Sequence, residues 1–393
     1  MEQTAAHTLY VSPVGNDAWS GTVPEAGGAG EGPLRTAAGA RDRIRSLRSS
    51  GGITGPVSVQ FRGGEYPVSE PVTFGPEDSG PVTYSSCPGE QAVISGGVPV
   101  TGWRETRVNG TAAWVTDVSG HIGEHGTFRS FFINGVRMPR PRLPKTGFFW
   151  MEDVPGINID SWKLFDGSRR FKAKKGDIRC RHNIDDVDLV VMHFWIDERM
   201  SIRSYDPETG MVECSEKSIF ALTDDWSGKW AKYYMENVFE ALSEPGEWYL
   251  DRSAGKLYYI PRKGETPETV NAVIPRTYQW LRVTGGLLRF RNLTFRYTDW
   301  DRVPGLPLWC DPYRPRSQWR RKDSWKHFIE NNGTDPETVY ATVPQGAIHL
   351  PGSIFFEGAR DCSVENCVIE HAGHYAVDIG EGCARLRLTG NVI

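Results

Sequence analysis

The apolar positions of this chain come in short runs. From Val57 onward they alternate with polar ones over four to six residues at a time, in "VSVQFRGGEY", "PVTF", "PVTYSS" and "AVISGGVPVTGW", with Gly, Pro or Ser at the breaks. Hairpin sheets would show paired runs about two-residue turns. Irregular breaks between strands that do not lengthen predict instead one coil that bends repeatedly. An internal repeat points the same way: "CSVENCVI" (362–369) and "LRLTGNVI" (386–393) lie about 24 residues apart, and "LRFRNLTF" (288–295) has the same pattern. One copy per rung of a parallel β-helix stacks Leu288/Cys362/Leu386, Phe290/Val364/Leu388 and Phe295/Ile369/Ile393 inside the coil. The predicted class is all-β.

One helix is expected in the first third. In "TAAGARDRIRSLRSSGG" Thr36 can cap the N-terminus, Ala37, Ala40, Ile44 and Leu47 fall at helical spacing, and Gly51-Gly52 ends it. Such a helix covers the open end of a strand stack, where backbone groups would otherwise stay unpaired.

The chain then divides into three segments: 1–125, the cap and first rungs; 126–275, an inserted antiparallel β domain; and 276–393, the continuing coil, interrupted by a loop insertion at 299–343. The inserted domain carries hairpin signals at Asn134-Gly135, at Asp206 to Gly210 and about Ser253 to Gly255. Within it "FWIDERM" offers Trp195, Asp197 and Glu198 as groups able to reach across from the inserted domain, but a hairpin turn with exposed acids, Asp197 and Glu198, is the simpler reading. The loop insertion contains "SQWRRKDSWKHFIENNG", a helix closed by Asn332-Gly333. At Ile393 the chain stops within a rung, which predicts that the coil continues, that residues 1–393 alone aggregate or show little activity, and that some active-site acids lie further on.

Charge narrows the function. With 45 basic and 49 acidic residues the net charge is −4, so nothing draws the whole molecule to nucleic acid or to an acidic membrane. No apolar stretch nears the roughly 20 residues of a membrane helix, and Met1-Glu2-Gln3-Thr4 does not open a signal peptide. The expected location is therefore cytoplasmic as written, or secreted if a true N-terminus is missing. Seven scattered cysteines suit reduced, packed thiols, with Cys362 and Cys367 in the core. No phosphate loop, dinucleotide fingerprint, calcium loop or zinc spacing occurs, so neither cofactor nor metal is expected. The oligomeric state is left open.

The segments "LYVSPVGNDAWSGT", "RTAAGARDRIR", "GGEYPVSEPVTF", "PVTYSSCPGEQAVISGG", "FFINGVRMPRPRLP", "GEWYLDRSAGKLYYIP" and "HAGHYAVDIGEGC" resemble glycoside hydrolase family 141 and, more distantly, family 120. The resemblance implies a right-handed parallel β-helix with an inserted β-sandwich-like domain, acting on plant-type glycans such as xylan, pectic or fucosylated chains. β-Xylosidase, xylanase and α-L-fucosidase activities occur in that group. Fold alone assigns no reaction.

Glycoside hydrolysis needs two carboxyl groups, roughly 5 Å apart for retention or 6.5–9.5 Å apart for inversion. Outward residues on adjacent rungs, about 4.8 Å apart, supply such pairs. The densest source is "EHAGHYAVDIGEGC". Here Tyr375, Val377 and Ile379 share one strand face, so Asp378 projects outward. Asp378 and Glu381 are the catalytic acid candidates, with His371 and His374 as acid/base helpers or hydroxyl ligands. Trp300 and Trp319, from an insertion that interleaves aromatic and basic residues, with Asp299, Gln345 and His349, are the candidate substrate-binding groups. That interleaving also describes single-strand nucleic-acid binders, but one loop on an acidic chain without a nucleic-acid motif suits a sugar platform better. The expected partner is a carbohydrate, with no nucleic acid and no membrane. A polysaccharide lyase on a uronate glycan and a non-catalytic glycan binder are the rival readings.

Overall fold

The computed structural model describes residues 7–28, 30–122, 127–300, 338–342 and 352–393. These divide into two compact units, one built from segments within 7–99, 273–300 and 352–393, the other within 100–272 and 338–342. Where the sequence placed the inserted domain at 126–275, the division falls at Val100 and Ala272. Pairing explains the earlier start: Thr111–Asp117 runs antiparallel to both Arg104–Val108 and Lys256–Tyr259.

The first unit consists of one capping helix and three parallel sheets. The first sheet orders His7–Val11, Val57–Phe61, Val82–Ser86, Leu288–Arg291, Ser363–Glu365 and Arg387–Thr389 side by side. Gly64–Pro67, Ala92–Ser95, Thr294–Arg296 and Val368–Glu370 form the second, and Val72–Phe74, Leu281–Val283, Ile354–Phe356 and Val377–Ile379 the third. The chain visits the sheets in turn, first, second, third, then first again. Both long excursions, after Ser95 and after Arg296, depart where the chain leaves the second sheet and return to the third.

Alternation sorts the side chains. Val57, Val59 and Phe61 are buried and the residues between them are not. Register then stacks like on like: Tyr84, Phe290, Val364 and Leu388 are successive partners in the first sheet, and Ile94, Phe295 and Ile369 in the second. Tyr84 and Phe290 stack with ring centroids 5.5 Å apart, and Phe74 of the third sheet meets both edge-on. The three sequence copies therefore superimpose residue on residue. Cys362 and Cys367 lie in this core, where burial pushes the Cys367 thiol up to about 11.

The turns repeat as well. Leu287, Asp361 and Arg385 before the first sheet, Asn292, Asn366 and Gly390 between the first and second, and Tyr297 and His371 after the second all have positive φ, between 53° and 67°. Asn and Gly adopt this region readily, whereas Leu287, Tyr297 and His371 carry about 1–2 kcal/mol of strain each. Stacking offsets it at one corner: the Tyr297 and His371 rings lie 5.1 Å apart and nearly parallel, at 13°.

The helix, Ala37–Ser49, is capped as its sequence predicts, the Gly39 N–H donating to Thr36 Oγ1 at 2.8 Å. Asp17 accepts from Arg35 N, Thr36 N and Thr36 Oγ1, and a Cβ at Gly39 would come 2.0 Å from its Oδ1. Ala37, Ala40 and Ile44 join the core of the three sheets.

The inserted unit is antiparallel, as expected, but it is not a sandwich. Phe149–Asp153, Arg170–Ala173, Met211–Cys214, Ile196–Asp206, Asp188–His193 and Lys232–Glu236 pair in that order, and Lys232–Glu236 pairs again with Phe149–Asp153, closing a six-stranded barrel. Closure leaves no open edge in a sheet of short strands. The Asn134-Gly135 and Ser253–Gly255 hairpins form where predicted, and the turn from Asp206 is closed by Gly210 N donating to Asp206 O at 2.8 Å. The "FWIDERM" expectation holds for Asp197, which is exposed, and fails for Glu198, which is 0% exposed. Glu198 Oε1 lies 2.9 Å from His193 Nε2, and its carboxylate accepts the N–H groups of Ile219 and Phe220. A carboxylate with that many donors is stable inside a barrel, and no local pattern announces them. The helix expected to end at Asn332-Gly333 lies outside the described residues.

Candidate active site

The corner between the second and third sheets gathers most of the candidate residues. Strand Val377–Ile379 pairs with Ile354–Phe356, so that Val377 and Ile379 oppose the core residues Ile354 and Phe356 while Asp378 opposes Phe355. Asp378 thus stands on the outer face, half-buried. On that face Phe355 is the register partner of Arg282, whose guanidinium lies 4.9 Å from the Phe355 ring centroid.

A chain of hydrogen bonds ties this face together. Arg282 Nη1 donates to Gln279 Oε1 at 2.9 Å, Gln279 Nε2 donates to Gly352 O at 2.8 Å, and the Gly352 N–H points at Asp378 Oδ2 at 3.4 Å. Arg282 and Gln279 are buried, at 6% and 0% exposure. Buried polar groups in such a network hold one geometry, because any member that swings out leaves its partner unsatisfied.

A second cluster adjoins it. Thr298 Oγ1 and Ser353 Oγ lie 2.7 Å apart, and Gly373 N donates to Thr298 Oγ1 at 3.0 Å. The turn His371 to His374 is thereby pressed onto Thr298, Asp299 and Trp300. Asp299 is buried, its own N–H donating to Thr277 O at 2.9 Å, and Trp300 is half-buried. Gly373 permits the contact, since a Cβ there would fall 2.1 Å from the Asp299 carbonyl carbon. His374 meets Tyr375 edge-on with ring centroids 4.2 Å apart. Asp299, Trp300, His371, His374 and Asp378 therefore belong to one neighbourhood.

Glu381 does not join them. It sits on the exposed turn that leaves the strand, where its backbone carbonyl accepts from Gly358 N at 2.7 Å, and its side chain has no ion pair or hydrogen bond among the described residues. Glu370 is held by Arg296 of the preceding rung at 2.7 Å. Trp319, Gln345 and His349 lie outside the described residues. The described residues contain no group of three or more His, Cys, Asp or Glu side chains placed to hold a metal. Sequence reading passed over Gln279, Arg282, Thr298 and Ser353. Their one sequence signal is a polar residue inside an apolar run, as in "YQWLRV".

The arrangement offers an outward carboxylate beside a phenyl ring, a buried carboxyl, and two imidazoles, which is the equipment of acid/base chemistry on a sugar. Gly373→Ala is expected to force the histidine turn off Asp299, with about 1–3 kcal/mol lost to overpacking. A melting temperature equal to wild type would show that the contact relaxes without consequence.

A family profile described as the GH141 insertion domain matches residues 111–262. A solved structure described as a glycoside hydrolase shares the fold, with a TM-score of 0.64 at 21% identity over 92% of this chain. This chain spans 66% of the length of that one. A second structure, described as the complex of XylC with xylose, gives a TM-score of 0.31 at 12% identity, covering 95% of this chain and 52% of that one. No curated protein matches the sequence. The chain thus resembles glycoside hydrolase family 141, and the resemblance is carried by residues 111–262, which match that family's insertion domain.

Proposed function

We propose that the three-sheet stack is a right-handed parallel β-helix and that the protein is a glycoside hydrolase acting on a plant-type glycan, xylan, pectic or fucosylated. The observation that carries the reading is the convergence of Asp378, Asp299, His371 and His374 at the corner from which both long excursions leave the stack. Asp378 and Asp299 act as the carboxyl pair, in preference to Asp378 and Glu381, because Glu381 stands on a separate solvated turn. The histidines orient sugar hydroxyls or relay protons, and Trp300 offers an aromatic face to a pyranose ring. The insertion-domain match and the shared fold support the hydrolase class. Among the described residues no helix is long and apolar enough to cross a membrane.

A second reading rests on Arg282. An arginine on the same sheet face as Asp378 is the charge neutraliser that a lyase uses on a uronate, with the carboxylate as base. One assay separates the two. Incubated with aryl β-xyloside, aryl α-L-fucoside, xylan and a pectic polymer, the complete protein is expected to release aryl alcohol or new reducing ends without ultraviolet-absorbing unsaturated sugar. Unsaturated product from the pectic polymer would establish the lyase instead. Bound but uncleaved glycan would establish a binding protein.

A further inference from the structure

The inserted barrel encloses a titratable pair that takes no part in the chemistry above. His193 ends the strand Asp188–His193, and Glu198 lies near the start of its antiparallel partner, Ile196–Asp206. Both side chains are wholly shielded from solvent. His193 Nδ1 lies 3.1 Å from the Ala221 carbonyl oxygen, and Nε2 lies 2.9 Å from Glu198 Oε1. Ile219 N donates to Glu198 Oε2 at 2.9 Å, and Phe220 N donates to Oε1 at 3.3 Å. Two side chains thus fasten the hairpin to residues 219–221 of another segment.

These partners fix where the hydrogens are. A backbone carbonyl only accepts, so Nδ1 carries one. Nε2 faces a carboxyl oxygen, and without a hydrogen between them a lone pair and a negative charge would meet at 2.9 Å where no water reaches. Two backbone N–H groups already point at the Glu198 carboxylate, the arrangement of an ionised acid, so the second hydrogen sits on Nε2. His193 is thereby an imidazolium paired with a carboxylate. The rings of Phe194 and Phe220, 5.3 Å and 6.2 Å from the imidazole, supply no hydrogen-bonding group in place of the lost water.

Among the described residues no other charged group bonds to the pair. On the segments packed around it, Arg199 pairs with Asp197 at 3.6 Å and with Glu236 at 2.8 Å, and Lys232 pairs with Asp224 at 3.0 Å. Asp225 accepts the Phe194 N–H, and Asp166 accepts from Lys163 N at 2.8 Å. In an unfolded chain a histidine gives up its second hydrogen at roughly pH 6.5. The folded pair keeps that hydrogen, so its contribution to stability is fully present below this pH and is lost as the pH rises above it. We propose that His193 and Glu198 form a pH-sensitive latch, in which one proton holds the hairpin of residues 188–206 on residues 219–221 and alkaline pH, by removing it, frees the hairpin. The inference is independent of the carbohydrate reading.

Hydrogen exchange of the complete protein, read by mass spectrometry over residues 188–222 and corrected for the intrinsic effect of pH, measures how often the latch opens. In wild type the opening constant is expected to rise about tenfold per pH unit between about pH 7.5 and 9, the slope of one proton. Glu198→Gln is expected to remove that slope, because its amide N–H can donate to a neutral Nε2 while its oxygen still accepts from Ile219 N. Other groups that titrate in this range, the cysteine thiols among them, are common to both proteins and cancel in the comparison. Nitrogen-15 NMR of histidine-labelled wild type is a second readout that needs no variant. At about pH 8 it should show a solvent-protected imidazole protonated on both nitrogens. Equal slopes in wild type and Glu198→Gln overturn the latch. So does a spectrum at that pH in which every protected imidazole is neutral, and this result decides the matter if the variant does not fold.

Discussion

Asp188→Ala is expected to cost about 3–5 kcal/mol, a large share of the stability of an ordinary domain. Asp188 is 2% exposed on the barrel wall and accepts hydrogen bonds from Arg129 and, at 2.6 Å, from Arg140. Arg140 continues to Glu236 at 2.7 Å, and Glu236 in turn receives Arg199 at 2.8 Å. Burial by itself would push the Asp188 carboxyl up, but Arg129, Arg140 and Arg199 together outweigh it and hold the group below the usual carboxylate range. Glu236 is lowered in the same way, burial being outweighed by Arg140 and Arg199. Removing Asp188 leaves half-buried guanidinium groups facing one another with one of their two carboxylates gone. The sign of the pH effect follows. Both pKa values are depressed by folding, so the network stabilises the protein above the unfolded carboxylate range, near pH 4, and that contribution is lost as the pH falls through the folded values. Denaturant melts at neutral and acid pH would show it. A variant that melts like wild type at pH 7, or a wild type whose barrel gains stability on acidification, would rule out this account.

Asp378→Asn is expected to lower turnover of the complete protein at least about a hundredfold, the scale of lost acid–base catalysis, while leaving the melting temperature in place. The substitution is nearly isosteric, and among the described residues the side chain makes only a long contact with Gly352 N, at 3.4 Å, so folding has little stake in it. Asp299→Asn should produce a comparable fall if it is the second carboxyl, with a shift in the pH profile that a merely structural residue would not cause. Unchanged turnover in Asp378→Asn would remove that residue from the catalytic role. Full activity in Asp299→Asn with a loss in Glu381→Gln would restore the pair on the C-terminal side of the strand.

Much of the first unit was legible in one dimension because its rules are local. The three copies beginning at Leu288, Cys362 and Leu386 share alternating inward positions and a turn residue suited to positive φ, and both features act within eight residues. Thr36 and Asn134-Gly135 are likewise local signals, and each formed what its chemistry requires. Asp378 was placed outward by the same alternation. Glu198 was misplaced because its partners, Ile219 and Phe220, lie 21 and 22 residues further along the chain. An acid after a hairpin turn is usually solvated, and nothing nearby signals the donors that bury this one.

The sequence by itself determined the all-β class, the repeat of the stacked parallel strands, the helix at Ala37–Ser49 and the hairpins, since strand alternation, helix caps and tight turns depend on residues within one or two turns of chain. Tertiary structure decided three things. It closed the inserted sheet into a barrel, because closure depends on Lys232–Glu236 finding both Phe149–Asp153 and Asp188–His193. It set Asp299 against the turn of Gly373 and left Glu381 outside, because register between rungs, not separation in sequence, makes neighbours. It also joined Gln279, Arg282, Gly352 and Asp378 into one network across nearly a hundred residues of chain, 279 to 378, with an excursion between them. A hydrogen-bonded site of this kind has no sequence period, since each member is chosen by the partner that packing delivers to it.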